Sequence, residues 1–126
     1  MIASLRGKLV HKDSDGIIIE CAGIGYGLSL SMRDLVNLPQ EGQEVFMWVH
    51  THVSQDHLRL FGFKQREELH IFEILLSVSG VGPRLALGIL SDVSAGELAL
   101  AVEQNHVGGL TKISGVGKKT AQRLLL

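Results

Sequence analysis

The pattern of hydrophobic and polar residues changes once along this chain, shortly after residue 63. Before that point, short apolar runs are separated by clusters of turn residues such as 12–16, which reads Lys-Asp-Ser-Asp-Gly. Apolar runs of this length between turn residues are typical of β-strands joined by tight turns. The pattern predicts five strands, at 2–10, 17–21, 26–31, 45–53 and 58–63.

Three glycines, Gly23, Gly25 and Gly27, lie at the start of the third predicted strand. Small residues allow a strand to bend sharply, as the strands of a small closed barrel do. Five short strands with such a bend favour a Greek-key barrel of the OB type, although an SH3-like barrel fits the same pattern. The aromatic residues are few and lie in apolar runs, so we expect most of them in the barrel core.

From about Gln65 the apolar residues recur at helical spacing, beginning with Leu69, Phe72, Leu75 and Leu76. This spacing predicts an amphipathic helix. Further helices are predicted at 83–90, 94–102 and 110–113, with a last one starting at residue 118. The chain is therefore predicted to be an α+β protein of two small domains, an OB-type β-barrel over 1–63 and an all-α domain over 64–126.

Two local signals delimit the connecting helix of the second domain. The sequence Ser-Ala-Gly-Glu from Ser94 to Glu97 fits a capping box, in which the serine and the glutamate satisfy each other's backbone N–H groups. The pair Gly108 and Gly109 is predicted to end this segment.

The all-α domain contains an internal repeat. Residues 75–90 and 110–126 share one order of features. In each, the apolar end of a predicted helix is followed by Ser-Gly-Val-Gly and then by a second apolar helix. Aligning Gly80 with Gly115 places the copies 35 residues apart (115 − 80) and aligns Gly82 with Gly117. A repeat of this kind predicts two copies of one helix–turn–helix unit.

The Ser-Gly-Val-Gly turns are suited to binding phosphate. Glycine allows positive φ and a close approach of a ligand to the main chain. The helix that follows each turn begins with unpaired N–H groups and the positive end of its dipole, and Pro83 fits the first helical position. A single turn is equally consistent with an ordinary C-cap glycine between packed helices. Two copies, the second followed by Lys118, Lys119 and Arg123, favour phosphate.

Bulk composition narrows the protein class. The 126 residues are 45% hydrophobic with a formal charge of −1, which indicates a globular protein and excludes a disordered one. Positive charge is local, because residues 110–126 hold four basic residues and no acidic one. The single cysteine, Cys21, excludes an internal disulfide, fits a reducing cytoplasm and is expected to be buried. No signal-peptide pattern or membrane-length apolar run is present, so we expect a cytoplasmic protein.

The whole sequence closely resembles the RuvA family of bacterial Holliday-junction-binding subunits. The resemblance is carried by Gly23-Ile-Gly-Tyr-Gly, Leu38-Pro-Gln-Glu-Gly-Gln-Glu, Leu60-Phe-Gly-Phe and both Ser-Gly-Val-Gly turns, which look like tandem helix-hairpin-helix elements. It favours the OB barrel over the SH3-like one. The DNA-contacting residues that it and the turn chemistry imply are Ser79, Gly80, Gly82, Arg84, Ser114, Gly115, Gly117, Lys118, Lys119 and Arg123.

The resemblance also implies partners and an assembly. Members of the family bind four-way DNA junctions as homotetramers or octamers, and they serve a hexameric ATPase, RuvB, that drives branch migration in recombination, repair and the SOS response. An acidic pair at the junction centre maps to Gln55 and Asp56, so this chain has glutamine at one of the two positions. The family's third domain, which contacts the motor, would follow Leu126. Without it, we expect junction binding but no stimulation of branch migration.

The sequence also contains residues that suggest other functions. A metal site is suggested by His50, His52 and His57, and Asp56 could complete it. No cysteine ligand or His-Glu-x-x-His motif supports such a site. The sequence has neither a convergent carboxylate set for a nuclease nor a Walker loop for ATP. We therefore expect a non-catalytic subunit with no cofactor and no metal, in a complex classed as a DNA helicase. The alternative is a generic helix-hairpin-helix accessory subunit of a repair nuclease or glycosylase.

Overall fold

The structure, a computed structural model, describes residues 1–105, 107–111 and 115–125. The chain divides into two compact units, Met1–Leu69 and His70–Leu126. The first unit is a β-barrel and the second is helical, which confirms the predicted α+β class.

The first unit is a closed five-stranded barrel. The strands are β1 Ser4–Lys12, β2 Ile17–Cys21, β3 Ile24–Ser29, β4 Glu44–Val53 and β5 Leu58–Phe63. Their order around the barrel is β1-β2-β3-β5-β4, with β4 pairing back to β1. All neighbours are antiparallel except β3 and β5, which are parallel. The five predicted strands and the OB-type barrel are thus confirmed.

Alternation along the strands explains which side chains fill the barrel. Successive strand residues point to opposite faces. Strand β4 accordingly buries Val45, Met47 and Val49, while Phe46 and Trp48 between them are only half-buried. The expectation that most aromatic residues lie in the barrel core is therefore wrong for this pair.

Phe46 and Trp48 form part of a cation–aromatic row on the outside of the barrel. Their ring centroids are 5.0 Å apart in an edge-to-face arrangement. The guanidinium of Arg6 lies 4.9 Å from the Phe46 centroid, and that of Arg66 lies 5.5 Å from the Trp48 centroid. Cys21 is half-buried rather than buried, and its Sγ donates a hydrogen bond to the carbonyl of Arg6 at 3.1 Å.

A short helix, α1 Met32–Leu35, connects β3 toward β4 and carries a buried carboxylate. Ser31 caps this helix by accepting a hydrogen bond from the N–H of Asp34 at 3.1 Å. Asp34 is itself buried and accepts a hydrogen bond from the N–H of Lys64 at 3.2 Å. The pKa of Glu68 is raised to about 7. Burial is the main cause, and the negative charge of Asp34 and a hydrogen bond with Asp34 add to it, whereas the charges of Arg33 and Lys64 lower the pKa.

This carboxyl pair predicts a specific pH dependence of stability. The folded state retains a proton on Glu68 that the unfolded state releases near pH 4.5, so stability falls as pH rises from 4.5 to 7. Glu68→Gln removes the titrating carboxyl group and with it this pH-dependent loss of stability. The free energy of unfolding of Glu68→Gln should equal that of the wild type near pH 4.5 and exceed it by about 1 kcal/mol at pH 8. This value is reduced because Glu68 is partly exposed to solvent.

Denaturant unfolding across this pH range measures the effect. Glu67→Gln, at the exposed neighbouring position, is the matched control. It retains Glu68 and should therefore keep the wild-type fall in stability between pH 4.5 and 7. A difference between Glu68→Gln and the wild type that stays constant with pH would contradict the assignment.

The helical segments are α2 Arg66–Leu76, α3 Pro83–Asp92, α4 Ala95–Glu103, α5 Val107–Thr111 and α6 Lys118–Leu124. The predicted capping box of α4 is confirmed. Ser94 Oγ accepts a hydrogen bond from the N–H of Glu97 at 3.1 Å, and Glu97 Oε1 accepts one from the N–H of Ser94 at 3.3 Å.

The connection after α4 differs from the prediction. Helix α4 ends at Glu103, and Asn105 adopts a positive φ of 55°. Asparagine tolerates this left-handed conformation better than most residues, so the chain turns there. Gly108 and Gly109, which were expected to end the segment, instead lie within α5.

No single helix among the described residues has the length and apolar composition needed to cross a membrane. Within the part of the chain that the structure describes, α3 and α4 taken together pass such a test, but they are bent by 94°.

Candidate nucleic-acid interface

The first glycine turn, residues 79–82, lies between α2 and α3 and exposes its main chain. Gly80 has a φ of 87°, in the left-handed region that glycine adopts without strain. Val81 is buried, with 6% of its surface exposed, whereas Ser79, Gly80 and Gly82 are exposed. The valine therefore anchors the turn in the helical core and leaves the glycine backbone at the surface.

The structure describes residues 115–117 of the second turn, and these have the same backbone geometry as the first turn. Gly115 has a φ of 84°, Val116 is buried at 4% exposure, and Gly117 is exposed. Ser114, the predicted first residue of this turn, lies outside the described residues. The predicted repeat is thus present in the backbone as well as in the sequence.

Each turn ends at the start of a helix with no side-chain cap. Gly82 precedes α3 with φ −95° and ψ 178°, and Gly117 precedes α6 with φ −84° and ψ 178°. The first intrahelical hydrogen bonds run from the N–H of Ala86 to the carbonyl of Gly82 and from Ala121 to Gly117, both at 2.9 Å. The N–H groups before them, such as those of Arg84 and Lys118, are left without an intrahelical partner.

Basic side chains surround these helix starts. Arg84, Lys118 and Lys119 are exposed, and they form no ion pair with any described acidic residue. Open N–H groups, a positive helix end and exposed cations together favour an anionic ligand.

Arg123, the fourth predicted cation, is placed differently from the other three. It is half-buried, and its Nη1 donates a hydrogen bond to the carbonyl oxygen of Ser79 at 3.3 Å. This contact joins the second repeat to the first turn. The sequence does not reveal it, since the repeat aligns Arg123 with Gly88, which has no side chain to make an equivalent bond.

The loop predicted to face a junction centre is the hairpin between β4 and β5. Residues 54–57 form its tip, which the N–H of Ser54 closes by donating to the carbonyl of His57 at 2.8 Å. Gln55 and Asp56 are both exposed there. The barrel therefore presents one carboxylate at the end of a tight, projecting loop.

The histidines near this loop lie on one strand face, as alternation predicts. The ring centroids of His50 and His52 are 5.8 Å apart, and both rings lie beside Phe61. Within the described part of the chain, no three His, Cys, Asp or Glu side chains are grouped closely enough to hold a metal ion.

The acidic pair in the β1–β2 turn has a structural explanation. Asp13 Oδ1 accepts hydrogen bonds from the N–H groups of Asp15 and Gly16 at 2.8 and 3.2 Å. These backbone bonds, with a further one from His11, lower the pKa of Asp13. The carboxylate is therefore used to shape its own turn.

A groove of about 570 Å³ crosses the barrel beside this turn. Its lining combines the carboxylates Asp13 and Asp15 with Tyr26 and Arg59. The mixed charge suits a phosphate backbone less well than the uniformly basic helix starts do.

Comparison with known proteins agrees with these features. The family model described as "RuvA N terminal domain" matches residues 1–62, and the model described as "SAM-like Helix-hairpin-helix tandem" matches residues 72–126. The chain is 46% identical over all of its 126 residues to the "Holliday junction branch migration complex subunit RuvA" of Geobacter sulfurreducens. The chain thus combines a RuvA N-terminal domain with a tandem of helix-hairpin-helix elements.

Other RuvA proteins give the same picture. The subunits so named from Acidobacterium capsulatum and Chlorobaculum parvum are 48% and 47% identical to this chain over its whole length. The chain spans 64% and 62% of those two relatives, and 63% of the Geobacter sulfurreducens RuvA.

Proposed function

We propose that this chain binds four-way DNA junctions through phosphate contacts that do not depend on base sequence, as a non-catalytic subunit in recombination and repair. The observation that carries the proposal is the pair of exposed glycine turns, each anchored by a buried valine and each followed by an uncapped helix start. Two such turns offer main-chain donors to two stretches of sugar–phosphate backbone. Contacts to phosphate fix the position of a protein on DNA and carry no base code.

Selection of a junction over a linear duplex requires shape as well as phosphate binding. We propose that four copies of the chain assemble so that their turns lie in four equivalent grooves, one for each duplex arm. Four Asp56 carboxylates would then surround the crossover and repel its phosphates. Gln55 would halve that charge relative to a pair of acidic residues in each copy.

Movement of the junction would come from a separate partner. The relatives are named as subunits of a branch migration complex, and we propose that this protein likewise serves a separate hexameric ATPase.

Binding to matched DNA substrates tests the proposal. Four-way, three-way and linear DNA of equal length and arm sequence are titrated with the chain, with Mg²⁺ present. We expect tightest binding to the four-way junction, equal affinity for junctions of different arm sequence, and no cleavage. Equal affinity for junction and linear DNA would favour a generic accessory subunit instead, and strand cleavage would overturn the non-catalytic assignment.

A further inference from the structure

Each glycine turn packs against the helix that follows the other turn. A Cβ atom placed on Gly80 would lie 2.8 Å from Nη1 of Arg123, which belongs to α6. A Cβ atom placed on Gly115 would lie 2.9 Å from Cδ1 of Leu85, which belongs to α3. The turns therefore support each other, and the missing Cβ atoms leave room for these contacts.

The two supporting contacts differ in chemistry. The contact at Gly115 is with an apolar methyl group, whereas Arg123 also donates a hydrogen bond to the carbonyl of Ser79 at 3.3 Å. Only the first turn thus has a charged donor on one of its carbonyls among the described residues. A hydrogen bond with a charged donor is stronger and more directional than an apolar contact.

The direction of the Ser79 carbonyl also sets the direction of the next N–H. The peptide between Ser79 and Gly80 is trans and planar, so its C=O and N–H point in opposite directions. With the carbonyl held toward Arg123, the N–H of Gly80 points away from the guanidinium. Gly80 is exposed, and its N–H donates to no acceptor within the described parts of the chain.

We propose that Arg123 is a positioning residue that holds the Ser79–Gly80 peptide so that the Gly80 N–H can donate to a DNA phosphate. This inference rests on the proposed function, because phosphate is the ligand of the turn. It differs from the role predicted from the sequence, in which the Arg123 guanidinium contacts phosphate directly. A direct contact with phosphate acts only in the DNA complex, whereas a positioning contact also holds the first turn in the DNA-free protein.

Arg123→Lys separates the two roles. Lysine retains the charge but ends short of the Nη1 position, so the bond to Ser79 is lost. We expect the amide resonances of residues 79–81 to shift in the DNA-free protein. We also expect junction affinity to fall about fivefold while the slope of log affinity against log salt stays unchanged, because no cation is removed. Direct phosphate contact alone predicts an undisturbed first turn in DNA-free Arg123→Lys, and that result would overturn the proposal.

Lys119→Ala, on the same helix, is the matched control. It should leave the resonances of residues 79–81 in place and lower the salt slope by about one. If neither the wild type nor Lys119→Ala shows salt-dependent binding, the proposed function fails. The shift of the first turn in DNA-free Arg123→Lys would still report the positioning role separately.

A double-mutant cycle keeps the inference testable if Arg123→Lys disturbs folding. The cycle combines Gly80→Ala with Arg123→Ala, and urea unfolding measures each variant. Removing the guanidinium relieves the 2.8 Å contact with the added Cβ, so Gly80→Ala should destabilise the Arg123→Ala protein less than the wild type. Equal effects in both backgrounds would show that Arg123 does not support the turn, and would overturn the proposal.

Discussion

Replacing Gly82 and Gly117 together with serine is expected to weaken DNA binding about hundredfold without loss of stability. Both glycines have ordinary extended backbone angles, and a Cβ on either would meet no atom within 4 Å. The fold therefore does not require glycine at these two positions. We attribute the presence of glycine at positions 82 and 117 to DNA binding, because a phosphate must approach the start of the helix closely.

The protein itself indicates what serine would do at these positions. Ser31 and Ser94 are helix N-caps with similar backbone angles, and each accepts a hydrogen bond from the N–H three residues later. A serine at 82 or 117 would bind the N–H of Leu85 or Thr120 in the same way and occupy a donor that phosphate needs. Each cap should add a few tenths of a kcal/mol to stability. Each lost charge-assisted bond should weaken binding about tenfold.

Gly88→Ser is the matched control for this pair. Gly88 lies within α3, and a Cβ there also meets no atom within 4 Å. The change should raise helix stability slightly and leave DNA affinity unchanged. Wild-type affinity in the Gly82→Ser, Gly117→Ser protein would show that the helix starts do not contact DNA.

Lys118→Ala combined with Lys119→Ala is expected to cause a comparable loss through charge. Each lysine that neutralises a phosphate releases a counterion, so the salt slope should fall by about two. Near 0.1 M salt the affinity should drop roughly hundredfold, and equally for DNA of any sequence. Electrophoretic or anisotropy titrations over a range of salt concentrations measure both quantities.

Lys8→Ala with Lys12→Ala removes the same charge from the barrel. Both lysines are exposed on β1, far in sequence from either turn. This variant should keep the wild-type salt slope. A similar drop in slope for both pairs would indicate general attraction by net charge rather than contact at the second turn, and a change in sequence preference would contradict phosphate contact.

The barrel and the repeated turns could be predicted because their signals are local. Short apolar runs between turn residues placed the five strands, and a repeated Ser-Gly-Val-Gly placed both reversals. The prediction for Phe46 and Trp48 is wrong because an apolar run does not imply that both faces of a strand are buried. The alternation along β4 sends these two side chains outward.

Other features depend on contacts that no local pattern records. The glycine pair Gly108 and Gly109 predicts where the segment of α4 ends, but Asn105 takes the left-handed conformation before it. The bond from Arg123 to Ser79 joins residues 44 apart, so only the folded structure brings them together. Charge counting predicts that Arg123 contacts the ligand, but it carries no information about a bond to the Ser79 carbonyl.

The central claim is that the two glycine turns bind the phosphate backbone whatever the base sequence. NMR of the ¹⁵N-labelled chain tests it most directly. Its amide resonances are followed while the chain is titrated with each of two short duplexes of unrelated sequence. We predict that both duplexes shift the same amides, in the turns at 80–82 and 115–117 and in the first residues of α3 and α6. Shifts confined to the barrel groove around Tyr26 and Arg59, or a different set of amides for each duplex, would contradict the claim.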